Sequence, residues 1–288
     1  MPETETVERT LDDYKSGVKP TWCPGCGDFG VLNAVYNALR ARGYAPENVV
    51  LVSGIGCSSR LPFFSSTYGF HTVHGRTMPI ATGIKVANPN LTVLALGGDG
   101  DAFAIGGGHF IHAARRNLDI CYVIMDNAIY GLTKGQTSPT SMVGFVTKTT
   151  PSGTPDRPVN PLQLALASGA TFVARAFSGK PKELADLIVQ GIEHNGFAVI
   201  DAYSPCPTFN KVNTFKYYRD EAVELPKDHD PSNPQQAWAR AASVDPVYLG
   251  LLYRSESEGS FEDHIKSAQV GDESQAPRVI ESILQRYS

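Results

Sequence analysis

No stretch of the sequence approaches the roughly 20 consecutive apolar residues that a membrane-spanning helix needs. Residues 1–17 are acidic and lack the basic-then-apolar pattern of a secretory signal, so the expected location is the cytoplasm. A surplus of basic charge is missing as well: 25 Lys and Arg stand against 29 Asp and Glu, a net charge of −4 at pH 7. No global field therefore recruits nucleic acid or an anionic membrane, and partners have to be argued from local sites. Internal repeats and long low-complexity tracts are absent too. Five Cys is an odd number in a chain without an export signal, which disfavours a disulfide framework and favours a metal or redox role.

What is present suits an ordinary globular protein: 288 residues, 42% hydrophobic and 19% charged, enough for one large domain or a domain with an appendage. Short runs rich in Val, Ile and Leu fall at 48–53, 91–96, 120–126, 170–174 and 197–203. They do not alternate with polar residues, as expected of strands buried on both faces of a parallel sheet. Helical patterns lie between them at 28–41, 104–116, 161–168 and 180–195. This rhythm predicts an α/β fold with a doubly wound, mainly parallel sheet and ligands at the carboxyl ends of its strands. Residues 131–161 shift to Thr, Ser, Gly and Pro, which suggests a functional lid. A boundary near 210 separates the core domain, 1–210, from a C-terminal arm, 211–288, with an apolar run at 247–253 and an amphipathic helix at 276–287.

The run 91–96 ends in Gly97, Gly98, Asp99, Gly100 and Asp101 before a helical pattern begins near Ala104. Glycines at a strand end let the backbone approach a phosphate, and a following helix start offers free N–H groups. An Asp in that turn is placed to hold Mg2+, which prefers hard oxygen ligands. The next strand ends at Asn127, Ala128 and Ile129, 28 residues after Asp99, so one strand-helix-strand unit brings Asp99 and Asn127 to neighbouring strand ends. Taken alone, the glycine turn favours a plain tight connection between strand and helix, and the Asn at the matching strand end shifts the weight to a cofactor site. A dinucleotide fingerprint is disfavoured, because Phe103 stands where its third Gly would fall; the lookalike at Gly54 and Gly56 is soon interrupted by Pro62. The unit resembles the thiamine diphosphate signature, and that resemblance implies Mg2+ held by the side chains of Asp99 and Asn127 and the carbonyl of Ile129.

Cys23 and Cys26 form Cys-Pro-Gly-Cys; Cys57 and Cys206 each follow a predicted strand. Four converging thiolates suit tetrahedral zinc or a 4Fe-4S cluster. One close pair joined by two isolated Cys favours the cluster over zinc, whose all-Cys sites use two close pairs. Cys121 lies inside an apolar strand and reads as a small core residue.

Cys-Pro-Gly-Cys26, Gly54-Ile-Gly-Cys-Ser58, His74-Gly-Arg76, Gly98-Asp-Gly-Asp101 and Ser204-Pro-Cys-Pro207 together resemble the beta subunits of the 2-oxoacid:ferredoxin oxidoreductases, over about 22–213. The stretches His74 to Thr77 and Tyr130 to Pro139 are most similar to the members acting on 2-oxoglutarate, with pyruvate or broad specificity as the alternative. The resemblance implies a diphosphate-binding domain and one 4Fe-4S cluster on Cys23, Cys26, Cys57 and Cys206. It further implies thiamine diphosphate contacts from Gly56, Cys57, Ser58, His74, Gly98, Asp99, Gly100, Asp101, Asn127, Ile129, Gly131 and Leu132. It also implies coenzyme A as the co-substrate and ferredoxin as the acceptor of the electrons. A Glu that activates the cofactor's pyrimidine comes from a second domain in such enzymes. This chain shows no second strand-helix series, so an alpha (or fused gamma-alpha) subunit is expected, with a dimer of alpha-beta heterodimers as the assembly.

His74 either touches the cofactor or caps a turn, and Arg60 either meets a substrate carboxylate or is a surface cation. Both are the candidate catalytic residues. His109 and His112 read as core or solvent positions, and Lys211, Lys216 and Arg219 either face an acidic ferredoxin or form a solvated face. A non-redox thiamine lyase has no use for the four thiolates, and an iron-sulfur carrier or zinc scaffold leaves the 98–129 unit idle.

Overall fold

The computed structural model describes residues 8–256, 259–268 and 285. Among them eight α-helices and eight strands follow one another along the chain: α1 (Asp28–Ala41), β1 (Val49–Ser53), β2 (Tyr68–His71), α2 (Thr77–Ala87), β3 (Thr92–Gly98), α3 (Gly107–Arg116), β4 (Ile120–Asp126) and α4 (Pro161–Ala167) come first. β5 (Phe172–Phe177), α5 (Pro181–Glu193), β6 (Phe197–Tyr203), α6 (Phe215–Glu221), β7 (Ala222–Glu224), α7 (Pro234–Ala242), β8 (Val247–Arg254) and α8 (Phe261–Ala268) follow.

All eight strands join one sheet in the order β2-β1-β3-β4-β6-β5-β8-β7. Strands β1 to β6 run parallel, and β8 pairs antiparallel with β5. The unalternating apolar runs are explained by two cores, one on each face. On β4, Cys121, Val123 and Met125 face the side covered by α1 and α5. Ile120, Tyr122 and Ile124 face the side covered by α2, α3, α4 and α7. Cys121 is 3% exposed, and a Cβ on Gly191 of α5 would sit 2.8 Å from its sulfur, which marks it as a packed core residue.

The chain steps from β1 out to β2 and then returns to place β3 on the other side of β1. Strand order therefore reverses between β1 and β3, and a crevice opens beyond their carboxyl ends. Segment 211–256 does not stand apart from this sheet: it adds β7 and β8 to the sheet and lays α7 against α4. The amphipathic helix expected at 276–287 lies outside the described residues apart from Gln285. Among the described residues no helix is long and apolar enough to cross a membrane.

One expected element differs. The helix predicted from Ala104 starts only at Gly107; Asp101–Ile105 instead form a wide π-helical turn with non-helical backbone at Ala104. The cause is Asp101, whose side chain is drawn back toward β1 and α2, and whose carbonyl comes so close to Gly106 that a Cβ there would lie 2.2 Å away. Such turns concentrate at functional sites.

Candidate active site

Three strand ends and one connecting loop enclose a cavity of about 430 Å³ at the sheet's reversal point. From the end of β1 come Ile55, Gly56, Cys57 and Ser58, and from β3 come Gly98, Asp99, Gly100 and Asp101. β4 is followed into the cavity by Asn127 and Ile129 and then by Tyr130, Gly131, Leu132, Thr133 and Gln136, while His74 enters between β2 and α2. All twelve residues expected around the diphosphate cofactor thus meet at one cavity. The sequence does not mark Ile55, Tyr130, Thr133 and Gln136 as cofactor contacts, although the last three fall in the stretch Tyr130 to Pro139 that is similar to the 2-oxoglutarate members. A second cavity, about 300 Å³ between α4, α7 and β8, carries no charged side chain among its lining residues and offers no comparable chemistry.

The β3 turn is held by exclusion. A Cβ on Gly100 would lie 2.1 Å from the Tyr130 ring, whose hydroxyl donates to the Gly100 carbonyl at 3.2 Å. Asp101 is an organiser: its Oδ1 accepts from the Ile55 and Gly75 amides at 2.9 and 2.7 Å and contacts His74 Nδ1 at 3.0 Å, while its Oδ2 accepts from Thr77 at 3.0 Å. It lines the cavity, but its carboxylate is engaged by the protein. Gly54 lets this happen, since a Cβ there would lie 2.1 Å from Asp101 Oδ2.

Asp99 is 2% exposed, and burial raises its carboxyl above the usual range against the hydrogen bonds donated by Ser138 and Thr140. Thr140 Oγ1 lies 2.7 Å from Asp99 Oδ2 and 2.8 Å from Asp126 Oδ1. A hydroxyl has a single proton to donate, so one of the two carboxyls must itself carry a proton. Burial, with the charges of Asp99 and Asp201 nearby, pushes Asp126 well above the carboxylate range and makes it the protonated partner. The loop expected as a lid is thereby pinned over Asp99 by Ser138 and Thr140, two functional hydroxyls that only their place in a Ser- and Thr-rich segment hinted at.

Beyond β4 the backbone is bent to present one carbonyl. Ala128 adopts φ +53, a left-handed conformation costly for a residue with a Cβ and typical of functional sites. The Asn127 carbonyl is taken by Asn210 at 2.9 Å and the Ala128 carbonyl by Ser141 at 2.7 Å. The Ile129 carbonyl accepts no hydrogen bond from the described residues. Asp99, the Asn127 side-chain oxygen and this carbonyl form a set of hard oxygen donors, which fits Mg2+.

The cysteines are drawn together by backbone contacts. Cys23-Pro24-Gly25-Cys26 closes a type II turn: the Cys26 amide donates to the Cys23 carbonyl at 3.0 Å, with Gly25 at φ +78. Gly27 then donates to the Pro205 carbonyl at 3.0 Å, an approach so close that a Cβ would meet Ser204 at 2.6 Å. Trp22 donates to the Cys57 carbonyl at 2.6 Å. A Cβ on Gly131 would stand 3.6 Å from the Cys206 sulfur and 3.7 Å from that of Cys57, so these two sulfurs flank a residue of the cavity wall. Among the described residues no three His, Cys, Asp or Glu side chains converge at the range of a single metal ion. Burial pushes the Cys57 thiol up to about 11, with Asp28 and Cys206 adding to it, a cost that bound cations would offset.

The two candidate catalytic residues separate. His74, with 37% of its side chain exposed, faces the cavity. Arg60 does not line the cavity; its guanidinium donates to Thr21 at 3.3 Å, beside the cysteine loop. His109 and His112 ride on α3 outside the lining, and Lys216 is paired with Asp220 across one turn of α6 at 2.5 Å.

Comparison with known proteins agrees with this layout. Residues 54–202 match the family model described as thiamine pyrophosphate enzyme, C-terminal TPP binding domain. Residues 206–270 match the family model for the C-terminal part of the pyruvate ferredoxin oxidoreductase beta subunit. The chain is 41% identical over 283 residues to subunit beta of 2-oxoacid:ferredoxin oxidoreductase 2 from Aeropyrum pernix, covering 94% of this chain and 92% of that one. It is 45% identical over 214 residues to the 2-oxoglutarate synthase subunit KorB of Methanothermobacter marburgensis, with 72% and 75% covered. A solved 2-oxoglutarate:ferredoxin oxidoreductase from Magnetococcus marinus, with 2-oxoglutarate, coenzyme A and succinyl-CoA bound, superposes with a TM-score of 0.92 at 46% identity over 97% of both chains.

Proposed function

This chain belongs to the beta subunits of the 2-oxoacid:ferredoxin oxidoreductases, and on that premise we propose that it serves the CoA-dependent, reversible conversion of 2-oxoglutarate to succinyl-CoA, passing electrons through one 4Fe-4S cluster to ferredoxin. The observation that carries the reading is Gly131, which lines the cofactor cavity on one side and abuts the sulfurs of Cys57 and Cys206 on the other. A redox group on these cysteines would then lie directly behind the Gly131 wall of the cavity. The choice of 2-oxoglutarate is supported by the KorB relatives and by the ligands bound in the Magnetococcus enzyme.

When bound, thiamine diphosphate supplies the carbon nucleophile and electron sink for decarboxylation. The chain's own residues do the holding. Asp99, Asn127 and the Ile129 carbonyl would hold the Mg2+ that accompanies the diphosphate. Gly56, Ser58, Gly98 and Gly100 give the cofactor close backbone approach, with Leu132 packing from the loop. His74, oriented by Asp101, faces the cofactor as a polar contact. Arg60, which donates to Thr21 beside the cysteine loop, is the proposed cation for a substrate carboxylate. Cys23, Cys26, Cys57 and Cys206 hold the cluster. The alpha subunit supplies the pyrimidine grip, two alpha-beta pairs make the assembly, and the proposed location is the cytoplasm, where thiols stay reduced.

The test is analysis of the complex purified without oxygen after co-expression with its alpha subunit. It should be brown, hold about four irons per beta chain, contain thiamine diphosphate, and oxidise 2-oxoglutarate in preference to pyruvate. Cys23→Ser should lose the iron and Cys121→Ala should keep it. Stoichiometric zinc with no iron would overturn the redox reading.

A further inference from the structure

We propose that the corner bearing Cys23 is the docking face for a small acidic electron carrier, a proposal that rests on the redox reading above. Of the four cysteines only Cys23 is exposed; Cys26 and Cys57 are half-buried and Cys206 is buried. The Cys23-Pro24-Gly25 turn is exposed throughout, so it offers the shortest way out for an electron.

The charge around it is one-sided, although the molecule as a whole is acidic. The segments that carry the four cysteines, 14–46, 48–64 and 202–219, contain one carboxylate apart from Glu47 between the first two, Asp28, which is fully buried, and the cavity carboxylates Asp99 and Asp101 are each only 2% exposed. The same segments present Lys19 four residues before Cys23, Arg60 beside Cys57, and Lys211 five residues after Cys206. Lys19 and Lys211 are exposed and have no carboxylate partner among the described residues, and Lys211 Nζ donates to the Pro207 carbonyl, which holds it at the cysteine loop. Val18, Phe29 and Val212 are 54%, 38% and 45% exposed on the same segments. Phe29 packs edge-on against Trp22 at 5.3 Å, whose indole donates to the Cys57 carbonyl, which sets an exposed ring beside the cysteine loops.

A positive rim around an apolar patch steers an acidic partner and orients it, acting on association rate and specificity more than on final affinity. The carrier takes one electron at a time, so the two electrons released per 2-oxoacid decarboxylated leave to two oxidised carriers in succession, each docking and departing. A weak, charge-steered contact serves such turnover better than a tight one.

The test uses the assembled alpha-beta holoenzyme carrying Lys19→Glu, Lys211→Glu, or both. Affinity for an acidic oxidised ferredoxin is measured by calorimetry at about 0.05 and about 0.3 M salt, beside ferredoxin KM and the rate of methyl viologen reduction. The double variant should bind ferredoxin about tenfold more weakly, with a flattened salt dependence, keep its iron and its alpha subunit, and reduce viologen no more slowly. A wild-type complex that reduces viologen, with ferredoxin affinity untouched by both substitutions, would overturn the docking face and leave the redox reading standing. Dissociation of the alpha subunit from the variants would likewise overturn it, by assigning the lysines to subunit assembly. A holoenzyme without iron would overturn both.

Discussion

At the scale of single residues the site is built by what is missing as much as by what is present. Gly54, Gly100 and Gly131 each occupy a point where a Cβ would strike a side chain or fill the space beside two sulfurs, so the Asp101 carboxylate, the Tyr130 ring and the cysteines close in on the cavity. Asp99 shows how function overrides stability. A buried carboxyl costs free energy to ionise, and its pKa is raised for that reason. Asp99→Asn keeps the size and still accepts from Ser138 and Thr140, so the thermal midpoint should stay equal or rise slightly. Mg2+-dependent binding of thiamine diphosphate to the alpha-beta complex should weaken at least about a hundredfold, because the charged ligand is lost. Calorimetric titration against the wild type checks both halves, and retained affinity would count against Asp99 as a ligand.

Among the elements, the far ends of the strands carry stability while the carboxyl ends carry the site. Asn117 caps α3 in a left-handed conformation, φ 53, and its side chain accepts from Thr171 at 2.6 Å and from the Phe197 amide at 2.8 Å. Thr171 in turn meets His194 Nε2 at 2.7 Å, so α3, α5, β5 and β6 are tied at one knot. Burial chiefly, and then the charge of Arg254, lowers His194 from 6.5 to about 4. Between those values the unfolded chain takes up a proton that the folded one refuses, so this contribution is complete above 6.5 and is lost as pH falls toward 4. Thermal midpoints of wild type and His194→Gln should therefore converge on acidification across that window. A constant difference from pH 7 to 4 would show that His194 takes up its proton equally in the folded and unfolded states.

For the molecule as a whole, one sheet makes one grip. Every described strand belongs to the same eight-stranded sheet, and its reversal point opens the one cavity proposed for the diphosphate end of the cofactor, with no second sheet among the described residues to hold the pyrimidine. The isolated chain should bind Mg2+ and thiamine diphosphate weakly and reduce no ferredoxin from any 2-oxoacid; adding the alpha subunit should restore both. Anaerobic assays on the chain alone, with mass spectrometry to exclude a co-purified partner, decide the matter, and substantial turnover by the chain alone would mean that it carries the whole active site.

Strands buried on both faces announce themselves without help, which is why β4, β6 and α1 fall at the bounds that periodicity predicts, and β1 within a residue of them. β2 is illegible because all four of its residues are exposed at the sheet edge, and α2 because Pro79 and Gly83 break its pattern. The motifs, too, are local: Gly98 to Asp101, Asn127 and the Cys-Pro-Gly-Cys turn are short-range chemistry that a linear reading can see. Long-range contact decided the rest. Only folding brings Ser138 and Thr140 onto Asp99, seats Gly27 on Pro205, gives the Asp101 carboxylate to the loops at Ile55 and Gly75, and sets Gly131 between cavity and cysteines. Sequence by itself determined which groups the site would contain, because side-chain chemistry and strand periodicity are properties of neighbours in the chain. Which of them are free to bind, which are engaged, and how close the cofactor cavity lies to the cysteines were decided by tertiary structure, because burial and hydrogen bonding are settled between residues far apart in the chain.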